Sequence, residues 1–357
     1  MKEQAEMLKK IKENLPNYGV VPLRSDEIIV TAIQLPIRPV DPKNPKKGIK
    51  ENLEYLLQSI DLVHTRPPVR RDLIAFPEFA LQGMNIEWTR EDWLRIAIEV
   101  PGEELERVGE KAKEYGSYIV LHCHTKDKDW PGHYFSTSLI VGPAGKVIHK
   151  HWKAHFTTAP TEYPTTVHDV LDEFVKRYGW DAVWPVAKTD IGNIATFVCS
   201  EGFQPETARA YAFKGAEILV RCISSSRYIH TVGWPGVGDS RITMRAYCIE
   251  NDVYGVYADS AVGGQGEGMS IGAGHSMIID NYGRILKEAE VSTGTAIDEQ
   301  IPIALFRKHH SIPRLRKELY DRVYAEYIGN FPPNLYSEYL PKNYGDAVRW
   351  WHKKARW

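Results

Sequence analysis

The sequence predicts an α/β fold, in which helices cover β-sheets. Two observations support this prediction. From residue 27 onward, short apolar runs rich in β-forming residues alternate with segments of helical periodicity. After an intervening loop the same alternation begins again and forms a second α/β half. With 357 residues, of which 43% are hydrophobic, the chain is long enough to bury a sizeable core.

The first half alternates strands with helices and then forms a pair of strands. The predicted elements are a strand over 27–35, a helix over 49–63, a strand over 72–78, a helix over 103–116 and a strand over 118–125. Two further strands lie within 135–152 and are joined by a Gly-Pro turn. A long loop rich in Thr, Pro and aromatic residues is predicted from about residue 154 to 181. Such loops are usually functional or lie at interfaces.

The second half repeats the alternation. Its predicted elements are a strand over 192–199, a helix over 205–215, a strand over 216–223, a helix over 240–252, a strand over 253–260 and a hairpin over 274–289. The glycine-rich stretch 263–268 lacks the strand-to-helix context of a phosphate-binding loop, so we expect a flexible loop near the pocket. Because no linker divides the chain, we predict one catalytic domain over 26–305, with extensions at 1–25 and 306–357.

The composition favours a small-molecule partner. The 45 Lys and Arg residues balance 46 Asp and Glu residues, so no basic field attracts nucleic acid. The sequence shows no uninterrupted apolar run of about 18 residues and no secretory pattern, so we expect a cytoplasmic protein without a membrane partner. Four widely spaced cysteines indicate free thiols. We interpret the tail RWWHKKARW as an arm that packs on a neighbouring subunit of a homodimer or larger homo-oligomer.

Three predicted strands end in polar residues that their apolar pattern does not require. Glu78 follows LIAFP, Lys153 follows KVIHKHW, and Cys199 follows IATFV. Each has an ordinary alternative: a solvated carboxylate, a surface lysine or an inert buried cysteine. Cys199 is the most informative, because Gly202 follows it and Pro205 then begins a helix. Such a turn exposes a thiol near backbone N–H groups.

Together these residues provide the groups that acyl transfer needs. Glu78 can accept the thiol proton and later deliver it to a leaving amine. Lys153 can stabilise both the thiolate and the tetrahedral oxyanion, with the backbone N–H of Ser200 as a second donor. We therefore predict a cysteine hydrolase of amide-type carbon–nitrogen bonds.

Three alternatives remain at this point. A metal site is the first, since His122 and His124 share one face of a predicted strand and three more histidines lie within 149–155. No Asp, Glu or Cys residues at a familiar ligand spacing complete such a site, so we expect no metal and no other cofactor. Cys222 is a second candidate nucleophile, but it lacks the turn that follows Cys199. A binding or scaffold protein without catalytic activity is the alternative outside enzymes.

The stretches LIAFPEFALQG, GKVIHKHWKAHF and CSEGFQPETARAYAFKGAEILVRC, in this order, resemble the nitrilase superfamily of carbon–nitrogen hydrolases. The resemblance covers about residues 27–304. It implies that the family's catalytic Glu, Lys and Cys are Glu78, Lys153 and Cys199, and that its frequent second glutamate is Glu162 in TAPTEYP. It also implies an α-β-β-α sandwich, which becomes a four-layer-forming unit when helices of two subunits stack in a dimer.

Within the superfamily, PEFALQG and PETARAYAFKGAEILVRC are most similar to the aliphatic amidase and formamidase branch. This resemblance implies an amidase that converts a small or medium amide to a carboxylic acid and ammonia through a thioester. Nitrile hydrolysis and N-carbamoyl hydrolysis are the alternatives. We expect the substrate to contact Phe79, Ser200, Ile223 and Ser224, of which Phe79 and Ile223 are less polar than the amidase pattern.

The segment 161–185 enlarges the loop beside the catalytic lysine. It contributes five aromatic residues close in sequence to Glu162: Tyr163, Phe174, Tyr178, Trp180 and Trp184. They can cap the pocket, or they can line a larger apolar pocket for an aryl or longer acyl group. Their number favours the second arrangement.

Overall fold

The computed structural model describes residues 2–13, 17–68, 70–156, 162–225, 239–261, 272–290 and 294–357. The glycine-rich stretch 263–268, predicted as a loop near the pocket, lies outside the described residues. In the described part of the chain, no helix is both long and apolar enough to cross a membrane.

The strands form two six-stranded sheets. In chain order they are β1 (Ile28–Gln34), β2 (Leu73–Ala75), β3 (Tyr118–Thr125), β4 (Phe135–Val141), β5 (Val147–Trp152), β6 (Ala187–Thr189), β7 (Gly192–Val198), β8 (Ile218–Ile223), β9 (Tyr254–Asp259), β10 (Met277–Ile279), β11 (Ile285–Glu288) and β12 (Thr295–Ile301). The first sheet has the order β12-β1-β2-β3-β4-β5, and the second has the order β11-β10-β9-β8-β7-β6. Three neighbouring strands are parallel in each sheet, β1-β2-β3 and β7-β8-β9.

Apolar side chains of the two sheets pack face to face and form the central core. Val30 and Leu73 of the first sheet belong to the same buried cluster as Val220 and Val256 of the second. Ile74, which follows Leu73, points to the opposite face and packs under helices. Because helices cover the outer faces, the parallel strands are apolar on both sides and read as almost continuous hydrophobic runs.

The helices cover the outer face of each sheet. In chain order they are α1 (Lys2–Glu13), α2 (Pro45–His64), α3 (Arg90–Ile96), α4 (Glu103–Tyr115), α5 (Leu171–Tyr178), α6 (Pro205–Phe213), α7 (Ser240–Asn251), α8 (Ile303–Arg307), α9 (Asp321–Glu326), α10 (Leu335–Glu338) and α11 (Tyr344–Lys354). Helices α2 and α4 pack on the first sheet, and α6 and α7 pack on the second. The predicted α-β-β-α sandwich is confirmed.

Several elements differ from the sequence prediction, among them helix α5 and strand β12. Helix α5 lies within the predicted loop over 154–181. Acidic residues in its first turn and basic residues in its last turn suit the helix dipole, and Phe174 is its buried residue. Strand β12 was not predicted, because it is an edge strand whose positions are mostly half-exposed and include the acidic Asp298 and Glu299. It pairs antiparallel with β1, with Ile301 opposite Ile28.

The C-terminal extension lies partly against its own chain. Ala347 of α11 is fully buried, and Trp350 and Trp351 pack against neighbouring apolar clusters of the same chain. These two tryptophans therefore do not depend on a neighbouring subunit for burial. Other apolar side chains near the C-terminus are exposed: Leu319, Val323, Tyr327, Ile328 and Trp357. For this part, packing on a second subunit stays a prediction.

Candidate active site

The predicted catalytic residues lie just beyond three strands that the packed sheets bring together. Glu78 follows β2, Lys153 directly follows β5, and Cys199 directly follows β7. Two hydrogen bonds connect Glu78 to the end of β8 in the other sheet. The backbone N–H of Glu78 donates to the carbonyl oxygen of Ile223 (3.3 Å), and the N–H of Ser224 donates to the Glu78 carboxylate (3.0 Å). These bonds hold Glu78 across the interface between the sheets.

Cys199 lies in a strained turn at the end of β7. Its φ of 45° is a left-handed conformation, which costs a non-glycine residue roughly 1–3 kcal/mol. The Arg221 guanidinium donates two hydrogen bonds to the Cys199 carbonyl oxygen (2.7 and 3.1 Å). The Glu201 carboxylate accepts from the backbone N–H of Val198 (2.7 Å) and of Ala154 (2.6 Å). The last bond connects the cysteine turn to the segment that leaves β5.

Glu201 and Arg221 support the site, but the sequence analysis does not identify them. Both residues are fully buried. The turn also needs a glycine, since a Cβ at Gly202 would lie only 2.5 Å from the Arg221 Cζ. A charged residue inside the apolar run ILVRCI is a signal that could have found Arg221. Its partner, a backbone carbonyl 22 residues away, is visible only in the fold.

Lys153 lies between two carboxylates in a buried cluster. Its Nζ is 2.8 Å from Glu162 Oε1 and 3.4 Å from Glu78 Oε1, and all three side chains are at most 2% exposed. The Cys199 thiol lies close enough to interact electrostatically with both the Glu78 carboxyl group and the Lys153 ammonium. The structure therefore brings together the four residues predicted as catalytic.

The cluster sets different pKa values for its members. Burial raises the pKa of Glu78 to about 7; Lys153 opposes this shift, and the negative charge of Glu162 adds to it. Burial also favours a raised pKa for Glu162, but Lys153 and His124 outweigh burial and lower it. Burial raises the pKa of the Cys199 thiol, and Glu78 adds to that increase. The resting site therefore pairs a neutral thiol with a carboxyl group that titrates near neutral pH.

The histidines considered as metal ligands are hydrogen-bonded to protein groups. His122 accepts from the N–H of Phe79 at Nδ1 (3.0 Å), and its Nε2 pairs with the Ser136 hydroxyl (2.8 Å). His124 donates from Nε2 to Glu162 Oε2 (2.8 Å). The other three pair with side chains near the second sheet: His149 with Thr196, His151 with Glu201, and His155 with Thr207. Within the described ranges, no three His, Cys, Asp or Glu side chains are grouped to hold a metal ion.

The four residues expected to contact substrate have different surroundings. Phe79 has a φ of 64°, and its buried ring stacks on His124 with 5.6 Å between ring centroids. The Ile223 side chain lies in the core between the second sheet and its helices. The backbone N–H of Ser224 donates to the Glu78 carboxylate. The Ser200 hydroxyl is buried and has no hydrogen-bond partner among the described residues.

The aromatic residues of 161–185 have partners outside the catalytic cluster. Phe174 and Tyr178 each lie 5.6 Å, between ring centroids, from a tryptophan of β5. Trp180 is 67% exposed, and Trp184 packs against the core of the second sheet. The Tyr163 hydroxyl donates to the backbone just before α3 (2.8 Å). These contacts account for the packing of this segment, and a role of its aromatic residues in lining the substrate pocket stays a prediction.

The alternative nucleophile lies in the core. Cys199 is partly exposed, whereas Cys123, Cys222 and Cys248 are buried. Cys222 belongs to the apolar cluster between the two sheets, and burial raises the pKa of its thiol. Its surroundings are those of an inert core cysteine.

Comparison with known sequences gives a family for most of the chain. The family model described as carbon-nitrogen hydrolase matches residues 29–308. A formamidase of Helicobacter acinonychis is 28% identical over 204 residues, which are 57% of this chain and 55% of the relative. A formamidase of Bacillus cereus is 29% identical over 198 residues, or 54% of this chain and 52% of the relative. The chain thus spans about half the length of the curated relatives it matches.

Solved structures show the same fold at low sequence identity. Nit3 of Saccharomyces cerevisiae, a member of branch 10 of the nitrilase superfamily, is 19% identical with a TM-score of 0.61, covering 79% of this chain and 92% of that chain. A carbon-nitrogen hydrolase of Helicobacter pylori G27 is 15% identical with a TM-score of 0.63, covering 85% of this chain and all of that one (100%). An amidase of Nesterenkonia sp. is 18% identical with a TM-score of 0.60, covering 85% and 98% of the two chains.

The resemblance to the carbon–nitrogen hydrolases of the nitrilase superfamily is confirmed, and the curated sequence relatives reported above are formamidases. The matched residues include nearly the whole sandwich and the strand ends that carry Glu78, Lys153 and Cys199. This chain therefore belongs to the carbon–nitrogen hydrolase family.

Proposed function

We propose that this chain is a cysteine-dependent amidase, which converts a small or medium amide to a carboxylic acid and ammonia. One observation carries the proposal: the buried Glu78 carboxyl group lies 3.4 Å from the Lys153 ammonium and close enough to the Cys199 thiol to interact with it. A carboxyl group in this position, with a pKa near 7, can accept and return a proton during each half of the reaction.

In the acylation half, Glu78 accepts the thiol proton while Cys199 Sγ attacks the amide carbonyl carbon. The negative charge that develops on the carbonyl oxygen is stabilised by Lys153, with the backbone N–H of Ser200 as a second donor. Glu78 then transfers its proton to the amide nitrogen. The carbon–nitrogen bond breaks, ammonia leaves, and the acyl group remains on Cys199 as a thioester.

In the deacylation half, water replaces ammonia as the partner of the base. Glu78 accepts a proton from the water, and the water oxygen attacks the thioester carbon. The carbon–sulfur bond then breaks, the sulfur takes the proton back from Glu78, and the carboxylic acid leaves. Glu162 remains ionised throughout, because it offsets the charge of Lys153 and is held by His124.

The formamidase relatives support an amide substrate, since a formamidase acts on the smallest primary amide. Nitrile hydrolysis and N-carbamoyl hydrolysis can also use a cysteine nucleophile. The test therefore includes substrates for both reactions. The test measures ammonia and carboxylic acid released from small amides, nitriles and ureido acids. Release of acid and ammonia in equal amounts from an amide supports the proposal. Activity on nitriles alone, or carbon dioxide released with ammonia, contradicts it.

The nucleophile is tested by Cys199→Ala, with Cys248→Ala as the matched control. We expect Cys199→Ala to abolish turnover with the circular dichroism spectrum unchanged, and Cys248→Ala to remain active, since Cys248 is buried in the helix-side core of the second sheet. Mass spectrometry after limited alkylation should find the label on Cys199, with protection by substrate. Near-normal kcat in Cys199→Ala would overturn the assignment.

We also propose that the protein forms a homodimer or larger homo-oligomer. The exposed apolar side chains of the C-terminal extension support this, because a solvated stretch with so many of them is unusual for a monomer. Sedimentation velocity at working concentration tests it, and a single monomeric species contradicts it.

A further inference from the structure

A cavity of about 380 Å³ lies next to the catalytic cluster. Its walls come from three parts of the chain: the segment that follows Lys153, the turn before α6, and the C-terminal extension. The residues that matter for the argument are Phe156, Asp169, Gly329, Phe331 and Trp351. The volume lies within the range of small-molecule sites in proteins.

One aromatic ring connects the cavity to the catalytic lysine. The Lys153 Nζ lies 5.0 Å from the centre of the Phe156 ring. The same ring lies 6.3 Å, between centroids, from Trp351 of α11. Phe156 and Trp351 both line the cavity. The Phe156 ring therefore contacts both the surroundings of the catalytic lysine and the cavity.

The walls of the cavity are suited to a neutral aromatic group. Phe156, Phe331 and Trp351 present ring surfaces, which pack well against another ring. The described lining residues include no Lys or Arg, while Asp169 contributes a buried carboxyl group that accepts from the N–H and hydroxyl of Thr166 (3.0 and 2.6 Å). An anionic substituent in the cavity would be repelled by this carboxylate, although Arg90, which does not line the cavity, partly offsets the charge of Asp169.

We propose that this cavity binds the distal end of an amide substrate whose acyl group carries a neutral aromatic ring, and that the C-terminal extension thereby sets the substrate preference. The inference rests on the proposed amidase function. The described aromatic residues that line this cavity come from Phe156 and the C-terminal extension, and none of them belongs to the five aromatic residues of 161–185.

Gly329 allows the cavity to be filled without straining the backbone. A Cβ at Gly329 would lie 3.8 Å from the carbonyl oxygen of Phe331, an ordinary van der Waals distance, and the residue is not in the left-handed region. Gly329→Leu therefore places a branched side chain in the cavity. Gly345→Leu is the matched control, because Gly345 lies at the start of α11, is not among the lining residues and has similar room, with 3.5 Å to Arg349.

The experiment compares kcat/KM for 3-phenylpropionamide with kcat/KM for acetamide. We expect Gly329→Leu to lower this ratio about tenfold or more, since losing a good apolar contact changes discrimination by roughly 10–200-fold. Gly345→Leu should keep the wild-type ratio. A para-carboxylate on the ring should lower kcat/KM in the wild type, and Asp169→Asn should recover part of that loss. A ratio that is equal in wild type, Gly329→Leu and Gly345→Leu overturns the proposal.

Binding to Cys199→Ala separates this inference from the proposed function. Titration of 3-phenylpropionamide into Cys199→Ala, followed by tryptophan fluorescence, reports on the cavity without turnover. The comparison uses two double variants, which combine Cys199→Ala with either Gly329→Leu or Gly345→Leu. If 3-phenylpropionamide binds more weakly to the variant with Gly329→Leu, the cavity site is supported, even if the wild type hydrolyses no amide. Hydrolysis of acetamide with equal binding in both double variants overturns the cavity site and leaves the amidase proposal standing.

Discussion

The strand end that carries Glu78 and the loop that carries Glu162 place two buried carboxylates beside the same lysine. Glu162 lies closer to it, at 2.8 Å, and also accepts from His124. The Glu78 Oε1 atom lies 3.4 Å from Lys153 Nζ, and its Oε2 atom accepts from the backbone N–H of Ser224. The Cys199 thiol also interacts with this carboxyl group. The pKa of Glu162 is lowered, while burial raises that of Glu78 to about 7.

The difference shows how one cation can serve two glutamates with separate roles. Glu162 has two strong donors, so it stays ionised and offsets the charge of Lys153. Glu78 lies farther from the same ammonium, and burial is the largest influence on its pKa. The resulting pKa of about 7 suits a proton-transfer role near neutral pH. The predictions below test this division of roles, beginning with the largest expected effect.

Glu78→Gln should remove the group that moves the proton in both halves of the reaction. We expect kcat to fall by at least ~10²-fold, the effect of one general acid–base role. The isosteric Glu162→Gln is the comparison variant, and it should lose less. Steady-state kinetics on the best amide measures both. A loss well below roughly tenfold in Glu78→Gln would show that another residue moves the proton.

Lys153→Ala should remove the cation that both carboxylates share. We expect kcat to fall by ~10²–10³-fold, as for loss of one oxyanion donor, with a smaller rise in KM. The variant should also lose about 3–5 kcal/mol of unfolding free energy, because buried carboxylates are left without their counter-charge. Urea unfolding and kinetics check the two parts. A raised KM with normal kcat would make Lys153 a substrate-binding residue instead.

Glu162→Gln should change the pH profile more than it changes the plateau rate. In the proposed mechanism the ionised form of Glu78 is the base, so wild-type kcat/KM should fall as pH drops through about 7. The charge of Glu162 helps to raise the pKa of Glu78, so its removal should move this acid limb to lower pH. The profile between pH 5 and 9 gives the midpoint. An acid limb that stays in place or moves upward would contradict the coupling.

His124→Leu should have the smallest effect on rate, because His124 acts through Glu162. Its hydrogen bond lowers the pKa of Glu162, and loss of a bond to a charged group costs roughly 1.5–3 kcal/mol. We expect a similar drop in unfolding free energy, and a change in kcat smaller than in Glu162→Gln. His124→Gln retains a donor and should recover part of the loss. If His124→Leu and the wild type had equal unfolding free energies, His124 would have no role in positioning Glu162.

The alternation of strands and helices could be predicted because its signal is local, whereas the sandwich was implied by the resemblance to the nitrilase superfamily. Apolar runs such as LIAFP and IATFV have the length and composition of strands buried on both faces, and the helices between them have a clear period. Strand β12 and helix α5 lack such signals, since the first is a half-exposed edge and the second is short. Both depend on partners that are distant in sequence.

The sequence alone determined the alternation of strands and helices, the turn after Cys199, and the presence of a carboxylate, an amine and a thiol at three strand ends. Only the tertiary structure decided that Glu78 is held by the end of β8 and that Arg221 stabilises the cysteine turn. The physical reason is that pKa values and strained turns depend on burial and on partners from other strands. Neither burial nor such partners can be read from neighbouring residues.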